Sequence, residues 1–206
     1  MSKNVCIIDY GMGNIGSILN MLKYLGINAF ISSNSNDFKD CTHIILPGVG
    51  KFDAAMSNLR EMSLIKPLQD IANDKKIPIM GICLGMQILC NKSEEGQLEG
   101  LGLIDAEVKL FNHLNDLSLK VPHMGWNYVD VDNKESIFKN IDSPRFYFVH
   151  SYYVSCNETS NIIGKTNYGK DFVSAFKKGK TIGLQFHPEK SHKYGMQIFK
   201  NFLDLQ

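Results

Sequence analysis

The feature that most constrains this chain is a corner. Pro78-Ile79-Met80-Gly81-Ile82 reads as a buried strand and Leu84 to Cys90 as a helix, with only Cys83 between them. Gly81-Ile82-Cys83-Leu84-Gly85 therefore has the spacing of a nucleophile elbow. In that turn the chain passes sharply from strand to helix, lifts one nucleophile out of the sheet, and needs small residues on either side so that strand and helix can approach. A thiol at a helix N-terminus also sits where the peptide dipoles favour thiolate, the form that attacks carbonyl carbon. The same pattern suits an inert packing cysteine, because free cysteine is among the most buried residue types. A base elsewhere in the chain is needed to decide between them.

Thr181 to Lys190 supplies one. An alternating apolar strand runs into His187, and Pro188 stops a helix from starting there, so the segment is expected to stay extended. Residues two apart in an extended chain share a side, which sets Glu189 beside the His187 ring. Cys83, His187 and Glu189 then have the roles of a triad: the imidazole takes the thiol proton, and the carboxylate fixes its tautomer and stabilises the imidazolium.

The rest of the composition narrows the class. The 206 residues are 44% hydrophobic with a net charge of +1, enough apolar content for a full core and no electrostatic case for nucleic acid or an anionic membrane. No apolar run approaches the ~18 residues of a membrane span, and the chain opens directly on a strand, so a cytoplasmic protein is expected. Cys6, Cys41, Cys83, Cys90 and Cys156 are odd in number and lack a Cys-x-x-Cys pair, which argues against a disulfide framework and a zinc site. No metal or cofactor is implied.

In chain order, Val5 to Asp9 reads as a strand and Ile15 to Leu25 as a helix. Between them Gly11, Gly13 and Gly16 match Gly-x-Gly-x-x-Gly. A dinucleotide site would also need an acid after the second strand, and Ser32-Ser33-Asn34-Ser35 has none, so these glycines are read as allowing some other close approach or simply a turn. Ser32 to Asp40 reads as a surface loop and His43 to Leu46 as a buried strand. Pro47-Gly48-Val49-Gly50 follows at the carboxyl edge of the sheet, where its backbone N–H groups and that of Leu84 would make an oxyanion hole; an ordinary strand-to-helix turn is the alternative. Helices are expected around Phe52 to Arg60 and Ser63 to Asn73. Through residue 90 this rhythm predicts a parallel sheet with helices on both faces. Beyond Gly96, strands at Leu101 to Leu110, Leu119 to Val131, Arg145 to Val154, Ile162 to Thr166, Phe172 to Lys177 and Thr181 to Phe186 lie too close together for helical crossovers. They should pair antiparallel before a closing helix from Tyr194 to Leu205. The expectation is a single α/β domain over residues 1–206, with a central, mostly parallel sheet flanked by helices, an antiparallel C-terminal extension, and its most mobile loop at residues 111–118.

Taken together with Asp9-Tyr10-Gly11-Met12-Gly13-Asn14, Val121-Pro122-His123-Met124-Gly125-Trp126-Asn127 and Tyr147-Phe148-Val149-His150-Ser151-Tyr152, these motifs resemble the class I (triad) glutamine amidotransferases along nearly the whole chain. Within that class the chain is similar to the glutaminase subunits of imidazole glycerol phosphate synthase, of histidine biosynthesis. The resemblance implies that Cys83 attacks the side-chain amide of glutamine, His187 passes the proton to the departing ammonia, and Glu189 orients His187. It implies oxyanion donors at Val49, Gly50 and Leu84, and a glutamine pocket at Gln87, Glu95, Ser151 and Tyr152. Glu95 would meet the substrate ammonium, though the residues alone do not separate it from the adjacent Glu94.

The resemblance further implies a heterodimer with a (β/α)8 cyclase, or synthase, subunit that receives the ammonia before water protonates it. Asn14, Trp126, Tyr147 and Lys190 match its interface positions, and for Trp126 core packing is the competing reading. Gly16 and Ser151 depart from the common pattern, where a larger residue and threonine are frequent. A sister group that amidates a surface-polysaccharide sugar shares nearly all these motifs, so the ammonia acceptor stays open between the two. A vestigial triad in an interaction subunit and a stand-alone cysteine hydrolase are the remaining alternatives; the intact triad weighs against the first and the interface motifs against the second.

Overall fold

The structure, a computed structural model, describes residues 3–74, 76–111, 119–131 and 136–205. The first part of the chain forms β1 (Asn4–Ile8), α1 (Ile15–Tyr24), β2 (Asn28–Ser32), β3 (His43–Leu46), α2 (Phe52–Glu61), α3 (Ile65–Asp74), β4 (Ile79–Ile82) and α4 (Leu84–Ile88). Then come β5 (Lys92–Ser93), β6 (Ala106–Leu110), β7 (His123–Tyr128), β8 (Asp130–Val131), β9 (Arg145–His150), β10 (Tyr152–Cys156), β11 (Ile162–Asn167), β12 (Asp171–Lys178), β13 (Thr181–Leu184) and α5 (His192–Leu203).

The strands of the main sheet run β2-β1-β3-β4-β13-β12-β10-β6-β5, with β11 against β12 and β8 against β11. From β2 to β13 every pairing is parallel; β13 to β12, β12 to β10 and β10 to β6 are antiparallel. The parallel strands are buried on both faces, which is why they read as unbroken apolar runs. Alternation still sorts their side chains: Cys6 and Ile8 enter the core beneath α2 and α3, while Val5 and Ile7 enter the core beneath α1 and α5.

β7 and β9 form a separate two-stranded ribbon. Phe146, Phe148 and His150 of β9 point inward and are buried, and Phe146 stacks on Phe186 with ring centroids 3.9 Å apart. Stacked aromatic pairs add about 0.5–1.5 kcal/mol beyond their buried area, so this layer fixes the ribbon over the segment that leads to His187.

Several sequence expectations change. The strand expected from Arg145 to Val154 breaks at Ser151, where the chain leaves the ribbon as β9 and joins the main sheet as β10. The run from Leu119 to Val131 likewise splits between the ribbon (β7) and the sheet (β8), and that from Leu101 is a strand only from Ala106. Within the expected loop from Ser32, Ser35–Asp40 winds into a 3-10 turn capped by the Asn34 side chain, because Phe38 in this polar stretch is drawn into the core. The helix after Cys83 ends at Ile88 rather than Cys90: the carbonyls of Ile88, Leu89 and Cys90 accept from Leu101, Leu103 and Gly102 instead of continuing the helical ladder. Thr181–Leu184 is antiparallel to β12, as expected, and parallel to β4 as well. Of the loop expected to be most mobile, 111–118, all but Phe111 lies outside the described residues.

Candidate active site

Cys83 occupies the corner between β4 and α4 with φ +54° and ψ −111°, a conformation that side chains other than glycine rarely adopt. Such a residue costs on the order of 1–3 kcal/mol and persists only where its surroundings impose it. Here they do. A Cβ on Gly85 would lie 1.9 Å from the Leu46 carbonyl oxygen, and one on Gly81 would lie 2.5 Å from the Gly85 oxygen. The Cys83 N–H donates to Leu184 O at 2.7 Å, so the β4–β13 ladder runs into the corner itself.

That ladder brings in the second motif. Ile82 is in register with Leu184, so the residues just past β13 arrive beside Cys83. His187 is held through its backbone, its N–H donating to Tyr147 O at 2.9 Å and its carbonyl accepting from Ser191 Oγ at 2.6 Å. Its Nδ1 lies 2.8 Å from Glu189 Oε1. The segment does not stay extended through Glu189 as expected. Pro188–Lys190 makes a single 3-10 turn with Pro188 at its first position, where its fixed φ starts a turn as readily as it blocks one. The pairing of His187 with Glu189 survives this change.

Both side chains are almost fully buried, and His187 Nε2 makes no hydrogen bond among the described residues. Burial opposes a charge on His187, but the Cys83 sulfur and the Glu189 carboxylate outweigh it and raise its pKa above the ordinary value. A raised value beside the Cys83 sulfur suits a ring that takes the thiol proton and holds it. The Cys83 sulfur itself touches the Val149 carbonyl and the Gln185 amide, each at 3.8 Å.

A cavity of about 420 Å³ opens over Cys83, lined by Val49, Gly50, Leu84, Gln87, Glu95, Ser151 and Tyr152 together with Pro122, Val149 and His150. Every residue expected in the oxyanion loop and glutamine pocket is therefore on one wall or another. Leu84 opens α4, so its N–H has no partner within that helix. The structure also separates the two glutamates. Glu95 lines the cavity with Oε2 accepting from Phe52 N at 2.9 Å, whereas exposed Glu94 accepts from Leu110 N at 2.7 Å. Of the glycines in the first turn, Gly13 serves packing and Gly16 has open space around it: a Cβ on Gly13 (φ +106°) would lie 2.9 Å from Pro47 Cβ, and the Tyr10 hydroxyl donates to Pro47 O at 2.5 Å, tying this turn to the Val49-Gly50 loop.

Sequence reasoning missed Gln185, fully buried against the sulfur, and the pair His123–His150. His150 continues the inward alternation of Phe146 and Phe148, a signal that was available in the sequence. Its Nδ1 donates to Tyr152 O at 2.7 Å, and its Nε2 lies 3.0 Å from His123 Nδ1. Burial drives its pKa down to about 3, with His123 and His187 adding to the fall and the bond to Tyr152 opposing it.

Trp126 is not a core residue. It stands on the outer face of the ribbon, 38% exposed, stacked on His192 and edge-on to Tyr147, with the Arg145 guanidinium 5.3 Å from its ring centroid. Met124 and Tyr128 share that face, and Lys190 Nζ is 5.8 Å from the Tyr147 ring. Asn14 precedes α1, which packs against the turn that carries Lys190.

A strained cysteine corner opening on a cavity, with a buried His–Glu pair beside the sulfur, is the arrangement on which the comparisons with known proteins bear. The family model for glutamine amidotransferase class-I matches residues 6–205, and the chain belongs to that family. It is 50% identical over 200 residues to imidazole glycerol phosphate synthase subunit HisH 2 of Methanococcus maripaludis, covering 97% of this chain and 98% of that one. With the Pseudomonas aeruginosa protein of the same description it is 47% identical over 202 residues, covering 98% and 99%. Among solved structures, a chain of PurLQS from Thermotoga maritima is 20% identical with a TM-score of 0.76 over 99% of both chains, a likeness of fold.

Proposed function

We propose that this chain is the glutaminase subunit of an imidazole glycerol phosphate synthase, hydrolysing glutamine and passing the ammonia to a partner synthase. The observation that carries the reading is the convergence of Cys83, Gln87 and Glu95 on one cavity with the His187–Glu189 pair behind the nucleophile. Residues 1–206 act as one glutaminase domain, in the cytoplasm; among the described residues no helix is long and apolar enough to cross a membrane.

In the proposed reaction the Cys83 proton moves to His187 Nε2 and the sulfur attacks the side-chain carbonyl carbon of glutamine. Negative charge develops on the carbonyl oxygen, where the N–H of Leu84 and the backbone at Val49-Gly50 receive it. Collapse breaks the C–N bond, His187 returns the proton to the leaving nitrogen, and ammonia departs. Water, deprotonated by the same ring, then hydrolyses the glutamyl thioester to glutamate. Glu189 holds Nδ1–H throughout, which leaves Nε2 as the atom that exchanges protons. Glu95, with Gln87, Ser151 and Tyr152, receives the amino-acid end of the substrate, a carboxylate being the natural partner for its ammonium.

The partner in this reading is a (β/α)8 cyclase subunit forming a heterodimer, docked on the outer face of the ribbon and the neighbouring turn through Trp126, Tyr147, Lys190 and Asn14. An exposed aromatic face flanked by Arg145 and Lys190 has the composition of an interface anchor.

Glutamate release by the purified chain, alone and with the cognate synthase and its nucleotide ligand, tests the reading. A large rise on adding the synthase is expected. A folded chain that shows no rise overturns the histidine-pathway partner and leaves the sugar-amidating sister group or a vestigial triad, which labelling of Cys83 by a glutamine-like electrophile separates.

A further inference from the structure

Gln185 is fully buried, belongs to no triad, and has its amide nitrogen 3.8 Å from the Cys83 sulfur. Its orientation is not free. The Tyr152 carbonyl can only accept, and it lies 3.1 Å from Gln87 Nε2, so that atom is the amide nitrogen of Gln87. The same nitrogen lies 3.2 Å from the nearer end of the Gln185 amide, which must therefore be its oxygen. Turning Gln185 over would set two NH2 groups against each other and its oxygen against the sulfur. The Gln185 NH2 is thus directed at Sγ by a chain that ends on a backbone carbonyl. His150 Nδ1 donates to that carbonyl as well, which holds the anchor in place.

We propose that Gln185 is a catalytic residue for the thiolate: its NH2 donates to Cys83 Sγ once the proton has moved to His187, and so stabilises the charged sulfur before attack. In the neutral state the thiol hydrogen is directed at Val149 O, and ionisation removes that bond while strengthening the one from Gln185. Among the described residues the titratable groups around the sulfur are His187 and Glu189 after β13, His150 on β9 and Tyr10 after β1, with Glu95 and Tyr152 on the walls of the cavity. The first two are one cation and one anion, so a neutral donor adds to the stabilisation without disturbing that balance. The proposal rests on Cys83 being the nucleophile.

The test is the rate of Cys83 alkylation by iodoacetamide as a function of pH, followed by mass spectrometry of the Cys83 peptide, in the full chain and in Gln185→Glu and Gln185→Met. Glutamate replaces the donor with an acceptor at the same length; methionine keeps the volume and removes hydrogen bonding. The alkylation midpoint is expected to rise by about one pH unit in Gln185→Met and further in Gln185→Glu, with reactivity below the midpoint falling about tenfold. Glutaminase kcat should fall in parallel while KM for glutamine changes less than about twofold, a split that mere loosening of the core would not give. Should neither variant fold, Gln87→Met removes the donor that orients Gln185 and is expected to shift the same profile in the same direction by less. Profiles that superimpose on that of the unaltered chain overturn the role of Gln185. Full alkylation of Cys83 in the unaltered chain without loss of glutaminase activity overturns instead the assignment of the nucleophile.

Discussion

His187 and His150 are both buried, within the same active-site region, and their proton affinities move in opposite directions. His150 is surrounded by neutral groups: a ring nitrogen of His123, the Tyr152 carbonyl and the faces of Phe148 and Phe172. Burial is the largest influence on it, the nearby His123 and His187 push the same way against the bond to Tyr152, and it stays neutral. His187 is also opposed by burial but faces a sulfur on one side and a carboxylate on the other, and these reverse the outcome. Burial makes a histidine inert; an anionic neighbour turns the same burial into a proton-holding site.

The strongest way to break the contrast is Cys83→Ala. Glutaminase activity should fall by about 10⁴-fold or more, since neither the ring nor the oxyanion donors replace a nucleophile. The His187 pKa, followed by NMR titration, should drop, because the sulfur is the main group raising it. Retained activity would remove the triad. Glu189→Gln keeps shape and removes the charge, and should lower kcat by about 10²–10⁴-fold with a smaller effect on KM. A wild-type rate in that variant would show that the carboxylate neither orients nor charges the ring.

Stability against pH separates the two histidines by sign. The folded-state value of His150 is depressed, so it is neutral in both states above about 6.5 and favours unfolding as pH falls from there toward its folded value of about 3. Buried His43, also depressed by burial to about 4, adds to this. Urea midpoints should decline across that window, by up to about 1.4 kcal/mol per pH unit for each such ring, and less in His150→Asn, which keeps a donor for Tyr152 O without a titrating ring. His187 works the other way: its raised folded value contributes stability that is complete below about 6.5 and lost as pH rises toward that value. Replacing either histidine without changing the slope on its own side would defeat this assignment.

The smallest expected effect is that of Trp126→Ala on the isolated chain. The ring is on the surface of the ribbon, so unfolding free energy should change by no more than about 1 kcal/mol, while stimulation by the synthase falls sharply. A large stability loss with intact stimulation would return Trp126 to a packing role.

Much of the site was legible because it is local. The elbow needs only Gly81, Cys83 and Gly85 in consecutive alternate positions, and the clash distances at Gly81 and Gly85 show why no other residue fits there. His187 and Glu189 are two residues apart, so their pairing survived even though the backbone between them is a 3-10 turn rather than a strand. The break at Ser151 was not legible. Tyr147 to Val154 alternates acceptably as one strand, and its division between ribbon and sheet is decided by which neighbours offer hydrogen bonds, with Phe111 N taking the Ser151 carbonyl.

By itself, then, the sequence determined the fold class, the strained corner, the His–Glu pair and the inward faces of the buried strands, all of which follow from spacing along a short length of chain. Only the tertiary structure decided that β13 lies parallel to β4 with Leu184 opposite Ile82, which brings His187 and Gln185 to Cys83. That Glu95 lines the cavity while Glu94 does not, and that Trp126 faces outward, were decided there too. The physical reason is that side-chain periodicity specifies the face a residue takes on its own strand, whereas the identity and register of the neighbouring strand depend on packing between segments far apart in the chain.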